Sequence, residues 1–291
     1  MRVIEAHEYG GPEVLKLADR PEPGPQPGKV RVRMVATAVN PADLAIRQGV
    51  FALRTPNLTF PFVLGWEIAG TVLEDAEGFT AGQRVFGAVP WLAEGTGQGS
   101  EAEVILAAPG WLAALPEGVD WVSAGTLGLN GLTARQGLNL LPPGETVFIT
   151  GASGAVGGFA VQLAARDGRN VIALASPGDE DYVAGLGAKQ VITRGQPLPT
   201  GVDGMFDPAL TGDLSPIRDG GAYVGVSDPA LPQPERGIEV GVVHSTPNAD
   251  QLREIATLQT RVADVLPIED TAEAHRRARA GGFRGKLVLT F

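Results

Sequence analysis

One stretch constrains the fold of this chain more than any other. An apolar, strand-length run, Glu145-Thr146-Val147-Phe148-Ile149-Thr150, passes directly into Gly151-Ala152-Ser153-Gly154-Ala155-Val156-Gly157. Beyond the turn, Val156, Phe159, Ala160, Leu163 and Ala164 recur at helical spacing, which predicts a helix over residues 155–167. A strand that turns sharply into a helix needs a residue tolerant of positive φ. A diphosphate on that turn needs bare backbone, and the helix N-terminus offers it unpaired N–H groups and a positive dipole end. The spacing Gly-x-x-Gly-x-x-Gly in this context reads as the pyrophosphate site of a nicotinamide dinucleotide. Its contacts fall on Gly151, Ser153, Gly154, Ala155, Val156 and Gly157. The plain alternative is a tight turn in a doubly wound domain that binds something else.

The neighbouring sequence continues the pattern. Strands at 170–175 and 190–192 flank a short helix at 179–186, and the runs 221–226 and 238–243 extend the same sheet. Strand, helix, strand, helix, strand is the mark of an α/β, doubly wound parallel sheet. A glycine-broken helical stretch precedes it at 121–138, and a helix at 271–279 and a strand at 286–289 close the chain. The first third differs. It has short alternating strands at 1–6, 30–36, 70–74, 83–87 and 101–106 between proline- and glycine-rich turns, a β-rich, barrel-like texture. With 291 residues, two domains fit comfortably.

Composition excludes several functions. A formal net charge of −10 argues against a nucleic-acid surface, which requires a basic stripe. There is no cysteine, so disulfides, thiolate catalysis and cysteine-built zinc sites are excluded. No apolar run is long enough for a membrane span, and the N-terminus lacks the apolar core of a signal peptide, so a cytoplasmic protein is expected.

The second strand decides between the two dinucleotides. NAD-binding units place an acid at its end to bind the ribose 2′-hydroxyl. Here it ends at Ala175-Ser176, which favours NADP(H), with Ser176 donating to the 2′-phosphate and Arg194 just past the next strand. Asp179, Glu180 and Asp181 pull the other way unless they are simply the solvated start of a helix.

Further motifs run along nearly the whole chain: Gly10-Gly11-Pro12-Glu13-Val14-Leu15; Asn40-Pro41-Ala42-Asp43 with Arg47-Gln48-Gly49; and Pro61-Phe62-Val63-Leu64-Gly65-Trp66-Glu67 with Gly70. Gly131-Leu132-Thr133-Ala134, Leu186-Gly187-Ala188 and Gly285-Lys286-Leu287-Val288-Leu289 complete the set. In order and spacing they resemble the zinc-independent quinone oxidoreductases of the medium-chain dehydrogenase/reductase, alcohol dehydrogenase-like superfamily. The resemblance implies a GroES-like catalytic domain over 1–117, a Rossmann NADP-binding domain over 118–254 and a C-terminal return over 255–291. It also implies NADPH-linked reduction of a small quinone-like or carbonyl substrate, and a homodimer. Where zinc relatives carry Cys, His and Cys ligands, this chain has Asn40, Trp66 and Leu129, so no metal is expected. His7, His244 and His275 match none of those positions.

By the same resemblance, Asn40 and Thr126 are the candidate catalytic residues. Thr133 lies near the nicotinamide and ribose, and Val224, Gly225 and Val226 approach the ring. Asn40 is otherwise a turn asparagine before Pro41, and Thr133 otherwise a helix-stabilising residue. Glu67 reads as a buried structural contact, Asp43 as ordering its loop, and Lys286 and Arg284 as phosphate neighbours. Some features depart from the family. Ala45 and Phe51 stand where relatives place cleft tyrosines, the usual phosphate-contacting lysine is absent, and the chain is short, with the loss expected around 227–250. Hydride transfer to a quinone needs little acid–base machinery, because the acceptor is itself a strong oxidant and positioning does most of the work. The alternatives are an enal or enone reductase on the same scaffold and an NADP(H)-binding sensor with little turnover. A short-chain dehydrogenase is excluded, because none of Tyr9, Tyr182 and Tyr223 is followed four residues later by lysine.

Overall fold

Period-two patterning builds the first of the two units into which the chain divides. The structure, a computed structural model, describes all 291 residues. The first unit comprises Met1–Leu129, Thr246–Thr257 and Arg261–Phe291. Its early strands are β1 (Arg2–Ala6), β2 (Leu15–Asp19), β3 (Val30–Ala38), β4 (Phe62–Val63), β5 (Glu67–Val72), β6 (Arg84–Ala88), β7 (Val104–Ala107) and β8 (Leu112–Ala114). Helix α1 (Pro41–Arg47) follows β3, and α2 (Trp121–Ala124) follows β8. In β3, Val30, Val32 and Met34 are buried while Arg33 between them is exposed, the alternation that a one-sided strand requires. The strand expected over 101–106 begins only at Val104. Glu101 lies before it, its amide bonded to Leu64 O at 3.0 Å.

The second unit comprises Asn130–Ser245 with Leu258–Thr260. The helical stretch expected at 121–138 is two helices, α2 and α3 (Gly128–Leu140), interrupted at Gly125. Then come β9 (Thr146–Ile149), α4 (Ala155–Arg166), β10 (Asn170–Ala175), α5 (Glu180–Gly185), β11 (Gln190–Thr193), β12 (Val202–Asp207), β13 (Ile217–Gly225) and β14 (Glu239–Val242). All six strands pair in parallel, in the order β11-β10-β9-β12-β13-β14. This is the expected doubly wound sheet. Phe148, Met205, Ile217 and Tyr223 fill its core, and Phe159, Ala160, Leu163 and Ala164 on α4 are buried as the helical spacing predicted. Strand β12 was not anticipated, although it lies at the centre beside β9. Asp203 and Gly204 hide its pattern, yet Asp203 Oδ2 accepts from the amides of Glu145 and Thr146 at 3.0 and 2.9 Å and anchors the start of β9.

The chain then returns to the first unit through α6 (Ala249–Ile255), β15 (Val262–Pro267), α7 (Thr271–Ala280) and β16 (Lys286–Thr290). Strand β16 pairs antiparallel with β3, Val288 opposite Ala38, so the end of the chain is built into the sheet that begins near residue 30. The larger sheet runs β15-β16-β3-β5-β6-β8, with β7 also on β3, and a smaller sheet runs β2-β1-β4. One apolar core, from Val3 and Ile4 through Phe62 and Trp91 to Leu287 and Leu289, lies within this unit. No helix is long and apolar enough to cross a membrane.

Candidate active site

In the parallel sheet the strand order reverses between β9 and β12, the place where open α/β sheets bind ligands. The glycine turn occupies this switch point at the carboxyl end of β9. Gly151 has φ of +58°, which a side chain would strain. A Cβ on Gly157 would lie 2.2 Å from Gly151 O and 2.8 Å from Thr150 O, so only glycine lets α4 start this close to the strand. The first helical bond is Gly158 N to Gly154 O at 2.8 Å, so the amides of Ala155, Val156 and Gly157 precede the internal ladder and suit an anion. Gly154 is exposed, and Ala155 and Val156 are half-buried. This cradle fits the diphosphate of a dinucleotide.

Side chains next to the turn form a second feature. Ser153 Oγ accepts from the amide of Ser176 at 2.9 Å, and Arg194 Nη2 donates to Ser176 Oγ at 3.1 Å. The three residues are thus joined where β10 and β11 end. A serine hydroxyl that accepts one bond still has its own hydrogen to donate. Of the acids that follow, Glu180 and Asp181 are exposed, as a solvated helix start requires, but Asp179 is buried at 1 % exposure. Val224 and Gly225 end β13 in register with Phe206 and Asp207, and Val226 follows half-buried. Thr133 Oγ1, on α3, donates to Ser245 Oγ at 3.1 Å.

In the first unit the candidate residues lie in a buried polar group. Asn40 caps α1 at 2 % exposure, and its amide N–H donates to Asp43 Oδ2 at 2.9 Å. The other Asp43 oxygen accepts from Gly65 N at 3.1 Å, so Asp43 does order its loop. Asn40 Nδ2 donates to Ala38 O at 3.2 Å, and its Oδ1 accepts from Lys286 Nζ at 2.5 Å. Lys286 therefore serves Asn40 rather than the phosphate expected beside it. Glu67 is fully buried and accepts from Leu129 N at 2.8 Å. Thr126 is also fully buried, and its hydroxyl donates to Ser123 O at 2.8 Å. Burial pulls the Lys286 ammonium down to about 8, with the charges of Glu67 and Asp43 acting in the opposite direction.

Comparison with known proteins decides the family. Residues 26–117 match the alcohol dehydrogenase GroES-like domain. A quinone oxidoreductase of Rattus norvegicus is 36% identical over 329 aligned positions, covering 99% of this chain and 97% of that protein. The Homo sapiens quinone oxidoreductase is 29% identical over the same shares. The solved structure of a quinone oxidoreductase from Coxiella burnetii superposes with a TM-score of 0.88 at 25% identity, covering 100% of this chain and 99% of that one. The chain belongs to the quinone oxidoreductase family. An alignment of 329 positions on a chain of 291 residues means that this member lacks segments its rat relative carries, in keeping with the expected shortness.

Asn40, Trp66 and Leu129, the residues expected in place of zinc ligands, lie in other surroundings. No group of three or more metal-ligating side chains comes together. Trp66 sits against Trp91 with ring centroids 5.6 Å apart, and its Nε1 is buried without an acceptor. Leu129 offers only its backbone, which Glu67 uses.

Two clusters escaped the sequence reading. Asp207, fully buried at the end of β12, accepts from Tyr223 Oη at 2.8 Å, Thr211 Oγ1 at 3.0 Å and Gly212 N at 2.9 Å, and also bonds Thr150 Oγ1. It ties β9, β12 and β13 together beneath the turn. The one signal for it was an acid closing an apolar run before Pro208. The second cluster is Arg47, Glu101 and His275, all fully buried. Arg47 Nε donates to His275 Nδ1 at 3.3 Å and Nη1 donates to Gly10 O at 2.5 Å. His275 Nε2 lies 3.7 Å from Glu101 Oε1. Burial together with Glu101 holds the Asp43 carboxyl above the usual range, and burial lowers Arg47.

Proposed function

We propose that this quinone oxidoreductase homologue is an NADPH-dependent enzyme that delivers a hydride to a quinone or similarly activated carbonyl acceptor without a metal ion. The observation that carries the reading is the joined set Ser153, Ser176 and Arg194 beside the glycine turn, with no acid at the end of β10. The bound dinucleotide supplies the hydride. The protein's own part is to bind and orient. The amides of Ala155, Val156 and Gly157 receive the diphosphate, and Arg194 and Ser176 meet the 2′-phosphate with a charge-assisted contact. Val224, Gly225 and Val226 border the nicotinamide, and Thr133 lies beside the ribose. Asn40 presents its side-chain amide to the acceptor oxygen as negative charge develops there, a preorganised donor in a water-poor setting. Quinone plus hydride needs one further proton to become the hydroquinone, and solvent supplies it. Homodimer formation and a cytoplasmic location belong to the same proposal.

The test is turnover. NADPH oxidation is followed with 1,4-benzoquinone and, separately, with a small enone, each with and without a chelator. Reduction of the quinone alone, insensitive to chelator, is the expected result. Faster turnover of the enone would replace the reading with a C=C reductase. Tight NADPH binding with no oxidation by either acceptor would replace it with a sensor.

A further inference from the structure

The loop that follows β12 carries an exposed leucine in a strained conformation. Three residues other than glycine have positive φ: Glu77, Leu210 and Arg236. Glu77 and Arg236 are long and polar, and each precedes a glycine that also has positive φ, the pairing that a type I′ turn requires. Leu210, at φ of +57°, precedes Thr211 instead. A bulky apolar residue is strained in this region, and packing within the chain offsets little of that, because Leu210 is 44 % exposed.

Asp207 holds the loop in this form. Its fully buried carboxylate accepts from Thr211 Oγ1 at 3.0 Å and Gly212 N at 2.9 Å, and Tyr223 Oη, at 2.8 Å, fastens the same oxygen to β13. Before the leucine, Ala209 N donates to Thr150 Oγ1 at 3.2 Å, and Thr150 in turn bonds Asp207. The residues on both sides of Leu210 are pinned, and the leucine takes the conformation they leave to it. Its place is the carboxyl end of β12, beside that of β9. The crevice at this switch point therefore has the glycine turn on one side and this loop on the other. A Cβ on Gly151 would lie 3.4 Å from Ala209, and one on Gly212 would lie 3.7 Å from Ala230 O, in the segment beyond Val226. A dinucleotide with its diphosphate on the turn and its ring at Val224–Val226 carries its nicotinamide half across this loop.

We propose that Leu210 is a cofactor contact, an apolar cover for the nicotinamide half of the dinucleotide, and that Asp207 is the positioning residue that holds it there. This rests on the reading of the turn as a dinucleotide site. Contact with the cofactor takes the side chain out of water and so offsets the strain of its backbone.

Binding separates this role from one in the loop's own fold. Affinities are measured by calorimetry for NADPH and for 2′,5′-ADP, which lacks the nicotinamide riboside. Leu210→Ala should weaken NADPH by about fivefold or more and change 2′,5′-ADP by less than about twofold. Leu210→Gly should weaken NADPH likewise, yet its urea midpoint should stay at or above that of wild type, because glycine adopts positive φ without strain. A leucine that served only the fold would lose stability instead. Thr211→Val removes one donor to Asp207 at an exposed position and should weaken NADPH by about threefold, again sparing 2′,5′-ADP. NADPH affinity equal to wild type in both Leu210 variants overturns the contact. Equal losses for NADPH and 2′,5′-ADP overturn it too, because the leucine then acts on the turn. A lower urea midpoint in Leu210→Gly overturns the strain, and wild-type affinity in Thr211→Val overturns the part given to Asp207. A wild-type protein that binds neither ligand removes the dinucleotide reading and the contact with it. Normal binding of both by wild type and variants removes the contact alone.

Discussion

The glycine turn and the buried polar group of the first unit are built in opposite ways. The turn is local and made mostly of backbone: Gly151, Gly157 and the first amides of α4, with Ser176 and Arg194 added 18 residues apart. It faces solvent, and its chemistry comes from dipoles that any sequence with the right glycines supplies. The buried group is made of side chains from α1, the start of β5, the segment before β7, α7 and β16, joined over separations as long as 247 residues. Its members have no access to water, so each charge depends on the others. A backbone-built site is sensitive to an added atom. A side-chain-built one is sensitive to a lost charge.

The largest effect expected from that difference is on stability. Arg47 lies fully buried and donates to Gly10 O and His275 Nδ1, and the Glu101 carboxylate, which accepts no hydrogen bond, acts on it through space. Removing one of two buried opposite charges that act on each other through space leaves the other uncompensated, at a cost of up to roughly 3–5 kcal/mol. Arg47→Met should lose about that much in urea unfolding while the folded fraction still binds NADPH normally. A loss under about 1 kcal/mol would mean that packing, not charge, holds the group together.

Asp43 gives the same region a pH signature. Burial first, and then Glu101, push its carboxyl up to about 6. The folded chain therefore holds this proton more tightly than the unfolded chain does. The contribution to stability is complete below the ordinary range near 4 and is lost as pH rises through 6. The shift corresponds to on the order of 3 kcal/mol. The difference in unfolding free energy between Asp43→Asn and wild type should move in the variant's favour by about that amount between pH 4 and pH 7. A difference that stays flat across this range would show that the carboxylate is already ionised at pH 4.

These two regions were not equally legible in the sequence. The turn could be read because everything that makes it lies within one strand–turn–helix, where glycine spacing and helical period are both visible. The parallel sheet followed from the same local periods, except for β12. There Asp203 and Gly204 interrupt the apolar run for reasons that lie elsewhere: Asp203 bonds the start of β9, and a Cβ at Gly204 would press on Leu141 at 3.2 Å. The buried group was legible only as isolated residues. Asp43 read as a loop-ordering acid and Glu67 as a structural contact, and both hold. Nothing local could show that Lys286 reaches Asn40 or that His275 meets Arg47, because sheet pairing and helix packing create those meetings.

The turn's sensitivity to an added atom gives a mid-sized prediction. Gly157→Ala puts a Cβ within 2.2 Å of Gly151 O, so α4 must move away from β9. Overpacking of this kind costs roughly 1–3 kcal/mol, and displacement of the amides should weaken NADPH by tenfold or more, read by nicotinamide fluorescence. Gly154→Ala is the control. Its Cβ meets only Gly151 O, at 3.2 Å, so both losses should be distinctly smaller. Equal effects at the two glycines would mean that loop entropy rather than close approach governs the turn.

The smallest effect belongs to the one part of the turn that side chains supply. Arg194 is exposed and reaches Ser176 Oγ at 3.1 Å, so solvent screens it, and its contribution should be modest. Arg194→Ala should weaken NADPH by about tenfold, roughly 1.4 kcal/mol, and leave NADH unchanged, because only the 2′-phosphate distinguishes the two. The wild-type preference for NADPH should shrink as salt is added, since an exposed cation is screened within a Debye length of about 10 Å at 0.1 M. The acids nearby set the sign of the remainder. Glu180 and Asp181 point to water, whereas Asp179 is buried next to the end of β10. With Arg194 removed, that buried acid should leave NADH bound at least as well as NADPH. If NADPH still binds tighter in Arg194→Ala, the 2′-phosphate is held by backbone and serine alone, and the contrast between a backbone-built turn and a charge-built cluster becomes complete.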